Sequence, residues 1–190
     1  MKKEIYLIRH GESKAQIDSN ACWVNPPLSK LGEQQARALK GRLKDITVDQ
    51  VILSPLDRAW NTYLLSEFCC KSVRFDHRFI EDTWGKEQAY EPLTFDHLHG
   101  IGELDPSNKH LLPTRERIKE LLEEMINSPI ESYMLFGHLG VICDFIRVFF
   151  DCDAIVTSVN NTSVSCLRIW EESGEEVREI AFLNDTRHLI

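Results

Sequence analysis

The 190-residue sequence has little of what marks membrane or nucleic-acid-binding proteins. Its N-terminal apolar run extends only from Ile5 to Ile8, too short for a signal peptide or a membrane-spanning helix. Basic residues are not in excess, because the net charge is -8, and this disfavours a general nucleic-acid binder. We therefore expect a cytoplasmic protein that binds neither membranes nor nucleic acids.

Sequence patterns for metal binding are also weak. None of the six cysteines forms a Cys-x-x-Cys pair, and the adjacent Cys69 and Cys70 do not have a zinc-site spacing. His97 and His99 could resemble a metal pair, but no third ligand lies near them in the sequence. We expect reduced thiols, no metal and no cofactor.

The composition is that of an ordinary globular protein, with 43% hydrophobic and 27% charged residues. A chain of this length suits a single domain covering 1–190. Residues 82–113 contain several glycines and prolines and show little periodicity, which predicts an irregular lid insertion. Trp23 and Trp84 are equally compatible with the mouth of a pocket and with packing.

Short apolar runs alternate with helical periodicity along the rest of the chain. Ser29, Ser54 and Thr114 are predicted helix N-caps, the second followed by proline at the first helical position. The alternation predicts a three-layer α/β/α sandwich with a mostly parallel central sheet, an antiparallel edge strand and the lid insertion. The runs predicted as strands are 5–8, 51–53, 73–75, 133–136, 163–170 and 177–183.

Charged or titratable residues follow three of the predicted strands. Arg9 and His10 end the first strand, Arg58 lies just past the second, and His138 follows the strand at 133–136. The carboxyl ends of strands are where open α/β sheets bind ligands. Two arginines suit phosphate oxygens, and an imidazole nitrogen can attack phosphorus. The pattern favours a phosphate ester as the ligand.

Five blocks of the sequence belong together. The first is Leu7-Ile8-Arg9-His10-Gly11-Glu12-Ser13, and the others are 27–36, 53–62, 136–142 and the weaker 161–164. In this order they resemble the motifs of the histidine phosphatase superfamily, which includes cofactor-dependent phosphoglycerate mutases, and the first block resembles its signature motif. The resemblance covers nearly the whole chain and implies a phosphotransfer enzyme with the α/β fold expected above.

The resemblance also implies roles for individual residues. His10 would be the phosphorylated nucleophile, while Arg9, Arg58 and His138 would hold the phosphoryl group. Glu81 fits best as the general acid, with Asp82 as the alternative. Two residues near the expected phosphate pocket depart from the family pattern, and we count both as substrate-binding positions: Gln16 replaces the usual asparagine, and Leu139 the usual glycine.

Three functions remain open at this point. The first is a metal-independent phosphatase of a small phosphorylated metabolite that works through phosphohistidine. The second is a phosphoglycerate mutase-type phosphotransferase, and the third is a catalytically weak regulatory or binding module on the same fold. The segment 82–113 carries six acidic and two basic residues, a net charge of -4, which favours the phosphatase over a mutase that must bind a more anionic acid.

Other polar residues have simpler interpretations. Arg115 and Arg117 are predicted to be solvated residues of a helix. His77, His110 and His188 are predicted to lie on the surface or in the lid. The glutamates at 171–172 and 175–176 flank a turn and are expected to be solvated.

Overall fold

The computed structural model describes residues 2–18, 25–81 and 113–190. The strands are β1 Lys3–Arg9, β2 Gln50–Leu53, β3 Val73–Phe75, β4 Ser132–Gly137, β5 Val164–Glu172 and β6 Glu175–Asp185. The α-helices are α1 Lys14–Ile17, α2 Lys30–Leu43, α3 Asp57–Ser66, α4 Thr114–Asn127 and α5 Leu139–Phe149. Short 3-10 turns cover His77–Phe79 and Arg187–Leu189. Nearly all of the predicted lid, together with Trp23, Trp84, Asp82, His97, His99 and His110, lies outside the described residues.

The strands form one sheet in the order β3-β2-β4-β1-β5-β6. The first four are parallel neighbours, whereas β5 is antiparallel to β1 and β6 is antiparallel to β5. This confirms the mostly parallel α/β fold, with two antiparallel strands where one edge strand was predicted. The turn joining them is the predicted one, since Ser173 and Gly174 both have positive φ, at 57° and 85°, as tight hairpins require.

Both faces of the sheet are covered by apolar side chains. In β1, Ile5 and Leu7 join the core formed with α4 and α5, while Tyr6 and Ile8 join the core beside α2. Successive side chains of a strand point to opposite faces, so a strand packed on both sides reads as a continuous apolar run. Because β3, β2, β4 and β1 are parallel, their carboxyl ends lie along one edge of the sheet.

Of the three residues predicted as helix N-caps, only Ser29 is one in the structure. Ser29 caps α2 as predicted, accepting a hydrogen bond from the Gly32 N–H at 3.0 Å. The prediction for Ser54 was wrong: α3 begins at Asp57 with Leu56 in the N-cap position. The Ser54 hydroxyl lies 2.7 Å from Nε2 of His138 and so faces the end of β4. Thr114 is the first residue of α4, and Pro113 occupies the cap position.

The prediction that Arg117 is solvated was also wrong. Arg115 is partly exposed and pairs with Asp144 and Asp153, but Arg117 is completely buried beneath the 3-10 turn at 77–79. Helical spacing could not separate the two because both are arginines near the start of the same helix. Only the position of the 77–81 segment against α4 decides which guanidinium is enclosed.

No described helix is long and apolar enough to cross a membrane. The cysteines at 69, 70, 143, 152 and 166 are free. Within the described ranges, no group of three or more potential metal ligands comes together.

Candidate active site

The carboxyl ends of β1, β2 and β4 bring the predicted residues together. Arg9 ends β1, Arg58 lies in the first turn of α3 after β2, and His138 is the N-cap residue of α5 directly after β4. The ring centroids of His10 and His138 are 5.1 Å apart. Nε of Arg58 lies 3.3 Å from Nε2 of His10. Residues far apart in the sequence thus form one buried polar cluster.

The hydrogen bonds of His10 define its tautomer. Nδ1 lies 2.6 Å from the Gly11 carbonyl oxygen, which can only accept, so Nδ1 carries the proton. Nε2 then keeps its lone pair, and Arg58 Nε donates toward it. The pKa of His10 is held well below its usual value by burial and by the charges of Arg58 and Arg9, against the opposing effect of the Gly11 hydrogen bond. His10 is therefore a neutral imidazole with Nε2 as its basic atom.

His138 is also kept neutral. Burial and the nearby Arg58, His10 and Arg9 lower its pKa well below the usual value. Its Nε2 contacts the hydroxyl of Ser54 at 2.7 Å, while Nδ1 is buried and has no hydrogen-bond partner among the described residues. A buried polar atom without a partner is costly, so this atom suits a bound ligand.

The two arginines of the site are incompletely neutralised. NH1 of Arg9 donates to the Val159 carbonyl at 2.7 Å, but its Nε is buried without a partner in the described part of the chain. Burial lowers the pKa of Arg58 to about 10, although Glu81 and Asp57 oppose the shift. Both guanidinium groups remain cations at neutral pH, and together they make the cluster attractive to an anion.

Glu81 lies at the other side of the cluster. Its Oε2 accepts a hydrogen bond of 3.2 Å from the N–H of Gly140, the second residue of α5. Its charge acts on both Arg9 and Arg58 and opposes the lowering of their pKa values by burial. Carboxylates are favourable at helix N-termini, which explains the position of this side chain.

The loop after His10 is held by contacts from α2 and α3. The Gly11 N–H donates to Oγ1 of Thr62 at 3.0 Å, and that hydroxyl donates to the Arg58 carbonyl at 2.6 Å. Gly11 also passes so close to Gly32 that a Cβ on it would lie 2.4 Å from the Gly32 carbonyl oxygen. The spacing of Arg58 and Thr62 on one helix face therefore serves the loop as well as the site.

Gln16 and Leu139 have distinct positions at the site. The side-chain amides of Gln16 and Asn161 form two hydrogen bonds of 3.1 and 3.2 Å, and Asn161 also donates to the His10 carbonyl at 2.9 Å. Gln16 thereby connects α1 to the turn beside His10. Leu139 is the first residue of α5, and its side chain packs against the core beneath that helix.

The sequence analysis did not name three residues that support the site. Ser54 contacts His138, Asn161 contacts the His10 carbonyl, and the N–H of Thr162 lies 3.0 and 3.3 Å from the carbonyls of Arg9 and His10. Thr162 has a φ of 55°, a conformation that is strained for a β-branched residue and concentrates at functional sites. The polar run 160–163 before β5 was the available signal, since such runs favour turns.

Two curated proteins are similar to this chain in sequence. A curated relative named "Putative phosphoserine phosphatase 2", from Hydrogenobacter thermophilus, is 26% identical over 159 residues, covering 74% of this chain and 75% of its own. "Probable phosphoglycerate mutase GpmB" of Escherichia coli is 27% identical over 134 residues, and the match spans 68% of this chain but only 62% of that protein.

Solved structures show the same fold. A mycobacterial glucosyl-3-phosphoglycerate phosphatase superposes with a TM-score of 0.71 at 20% identity, covering 96% of this chain and 99% of that one. The family model of the histidine phosphatase superfamily (branch 1) matches residues 5–182. That range contains His10, Arg58, Glu81 and His138 together with the sheet that positions them. This chain therefore belongs to the histidine phosphatase superfamily.

Proposed function

We propose that the protein hydrolyses a phosphomonoester of a small metabolite through a phosphohistidine intermediate on Nε2 of His10. The observation that carries the proposal is the hydrogen-bond pattern of His10. Nδ1 of His10 donates its proton to the Gly11 carbonyl oxygen at an N···O distance of 2.6 Å. The lone pair of Nε2 is therefore free of a proton and lies beside Arg58. A neutral, oriented imidazole next to a cation is ready to attack a phosphoryl group.

The remaining residues have complementary roles in this mechanism. Arg9, Arg58 and Nδ1 of His138 bind the phosphoryl oxygens and stabilise the charge that spreads over them in the transition state. Nε2 of His10 attacks phosphorus, the ester P–O bond breaks, and Glu81, which must be protonated at this step, gives its proton to the departing oxygen. Water then attacks phosphorus and gives a proton to Glu81, the P–N bond to His10 breaks, and inorganic phosphate leaves.

Two residues adjust this site in the present chain. Gln16 supports the His10 loop through Asn161, and Leu139 directly follows His138 as the first residue of α5. We assign both residues to substrate binding. Two guanidinium groups provide the positive charge that a metal ion would otherwise provide, so we infer that the reaction is metal-independent.

The mutase is the second candidate, and a relative that carries that name favours it. A mutase must retain a highly anionic acid and keep water away from the phosphoenzyme. The net charge of -4 on 82–113 disfavours such a substrate. Loading the enzyme from a labelled donor and adding millimolar monophosphoglycerate would decide: label passing to the glycerate faster than it appears as phosphate would establish the mutase.

The proposal is tested by trapping the intermediate. The enzyme is mixed with p-nitrophenyl phosphate that is labelled in its phosphoryl group, and the reaction is quenched rapidly without acid. The protein should then carry one alkali-stable, acid-labile phosphate per chain. His10→Ala should abolish the label and the turnover while circular dichroism and unfolding remain near normal. Lys40→Gln, which changes an exposed residue of α2 that pairs with Glu67, is the control and should keep both.

A His10→Ala variant that folds and turns over at the wild-type rate would disprove the mechanism. A wild-type chain that forms no phosphoenzyme with any ester would favour the binding module. Exhaustive chelation with EDTA should leave the rate unchanged; loss of activity that a divalent ion restores would disprove metal independence.

A further inference from the structure

Arg117 of α4 is a buried cation that the mechanism above does not use. It is 0% exposed, and its guanidinium spans two neighbouring segments. NH1 lies 3.3, 3.4 and 3.2 Å from the carbonyl oxygens of His77, Arg78 and Ile80. NH2 donates to Oγ1 of Thr114 at 3.2 Å. One side chain therefore joins the backbone just before Glu81 to the first turn of α4.

The segment held by Arg117 is also fitted to the end of β4. A Cβ on Gly137 would lie 2.3 Å from the Phe79 ring, so the ring occupies the space that the glycine leaves open. Phe79 packs edge-to-face on Phe145 of α5 at a centroid distance of 6.2 Å. The 77–80 backbone thus lies between α4 and the start of α5, and Glu81 leaves it toward Gly140.

These contacts divide into two kinds. Phe79 fixes the segment by apolar packing, which limits where it lies but not how its peptide groups are rotated. Arg117 contacts carbonyls of three of the four residues preceding Glu81, so it fixes the orientation of the peptide planes themselves. Burying a guanidinium is costly unless its donors are used, and here they are used on the backbone that leads to the proposed general acid.

We propose that Arg117 is a positioning residue that aims the carboxyl group of Glu81 at the leaving-group oxygen. The proposal rests on the function proposed above and assigns a role in that mechanism to one further residue. In this role Arg117 acts on Glu81 through the 77–80 backbone. Misplacing a proton donor by about 1 Å can cost about 10²-fold in rate, so loss of this support should be visible in kinetics.

A general acid matters in proportion to the basicity of the leaving group, and this gives a specific test. An alkyl oxygen needs a proton as the ester bond breaks, whereas p-nitrophenolate leaves without one. We would measure single-turnover phosphorylation of His10 by a primary alkyl phosphate and by p-nitrophenyl phosphate in Arg117→Lys and Arg117→Gln. The alkyl rate should fall about 10²-fold and the aryl rate less than about threefold.

Arg147→Gln is the matched control. Arg147 of α5 also donates from Nε to a loop carbonyl, that of Ile155, at 2.9 Å, but at the end of α5 away from Gly140. It should change neither rate. Thr114→Val removes one acceptor of Arg117 without touching the cation, and should produce a smaller loss of the same selectivity even if Arg117→Gln does not fold.

A double-mutant cycle with Glu81→Gln separates positioning from general structural damage. If Arg117 acts through Glu81, Arg117→Lys should cause little further loss in the Glu81→Gln background. Equal losses with both esters, or fully additive losses in the cycle, would overturn the positioning role while leaving the phosphatase proposal intact. A wild-type enzyme that forms no phosphoenzyme would overturn both.

Discussion

Two pairs of arginines in this protein have opposite surroundings. Arg74 and Arg78 share the buried carboxylate of Asp76 and the more exposed one of Glu124, at distances of 2.5 to 2.7 Å. Arg9 and Arg58 have no carboxylate within ion-pair distance among the described residues, and Glu81 acts on them only at longer range. The pKa of Arg78 is raised by its partners despite burial, whereas burial lowers that of Arg58 to about 10.

The two pairs of arginines differ in what neutralises them. The Asp76 network neutralises its cations within the protein and connects β3 and the 77–79 turn to α4. The pair at the strand ends is left short of negative charge, beside two neutral histidines. A phosphate dianion would provide what this cluster lacks. Sites prepared for a ligand are often less stable than the rest of the structure, because their groups are satisfied only when the ligand is bound.

Between the two pairs, the largest expected effect comes from removing an arginine of the unneutralised pair. Arg58→Gln should lower kcat/KM for an aryl phosphate by about 10³-fold, with a higher KM and a lower kcat, because the contact exists in the ground state and strengthens in the transition state. The free energy of unfolding should not fall, since a desolvated cation is removed. Steady-state kinetics and urea titration measure the two quantities.

Arg74→Gln is the matched change in the neutralised pair and should leave kcat/KM within about threefold. If Arg58→Gln kept its kcat/KM, Arg58 would be excluded from the site. If it were instead strongly destabilised, the two pairs would be alike and the comparison would fail.

The second effect is on stability and belongs to the neutralised pair. Asp76→Asn should lower the free energy of unfolding by about 3 kcal/mol, because it leaves two arginines around a neutral, buried amide. Burial alone would raise the pKa of Asp76, but the hydrogen bond and charge of Arg78, with Arg74, lower it overall. Chemical denaturation provides the measurement. Glu67→Gln, in the exposed Lys40–Glu67 pair, should show no measurable change, and equal values for the two variants would contradict the argument.

Sequence reasoning accounts for much of the fold. The continuous apolar runs at 5–8 and 133–136 and the helix predicted to follow Thr114 correspond to buried elements of the structure. Burial on the two faces of a sheet needs only side-chain type and period, which a sequence displays directly. The prediction for Ser54 failed because its hydroxyl had a tertiary partner, His138, 84 positions away, and local capping rules do not include such partners.

The site is predictable in part for the same reason. Arg9, His10, Arg58 and His138 could be grouped because parallel strands end at one edge, and the structure places them there. The tautomer of His10, the strained Thr162 turn and the burial of Arg117 depend on how loops pack on one another. No local pattern separates Arg117 from Arg115, so only the three-dimensional structure identifies it.

The smallest expected effect is a pH dependence that separates the two regions. His10 and His138 have folded-state pKa values well below the usual 6.5, through burial and the nearby Arg58 and Arg9. Below pH 6.5 the unfolded chain therefore binds protons that the folded site refuses, so the free energy of unfolding should decrease as the pH falls through this range. Each histidine contributes at most about 1.4 kcal/mol per pH unit.

The variant His10→Gln should remove one of these contributions and flatten the dependence between pH 6.5 and 5, measured by urea unfolding at several pH values. Asp76, whose pKa is lowered from 3.8, loses its stabilising charge only at more acidic pH, so Asp76→Asn should leave the slope above pH 5 unchanged. The histidine site and the carboxylate network would thus titrate in separate windows. A slope between pH 6.5 and 5 that is the same in His10→Gln as in the wild type would show that His10 accepts a proton as readily in the folded protein as in the unfolded chain, and the lowered pKa of the buried nucleophile would have to be abandoned.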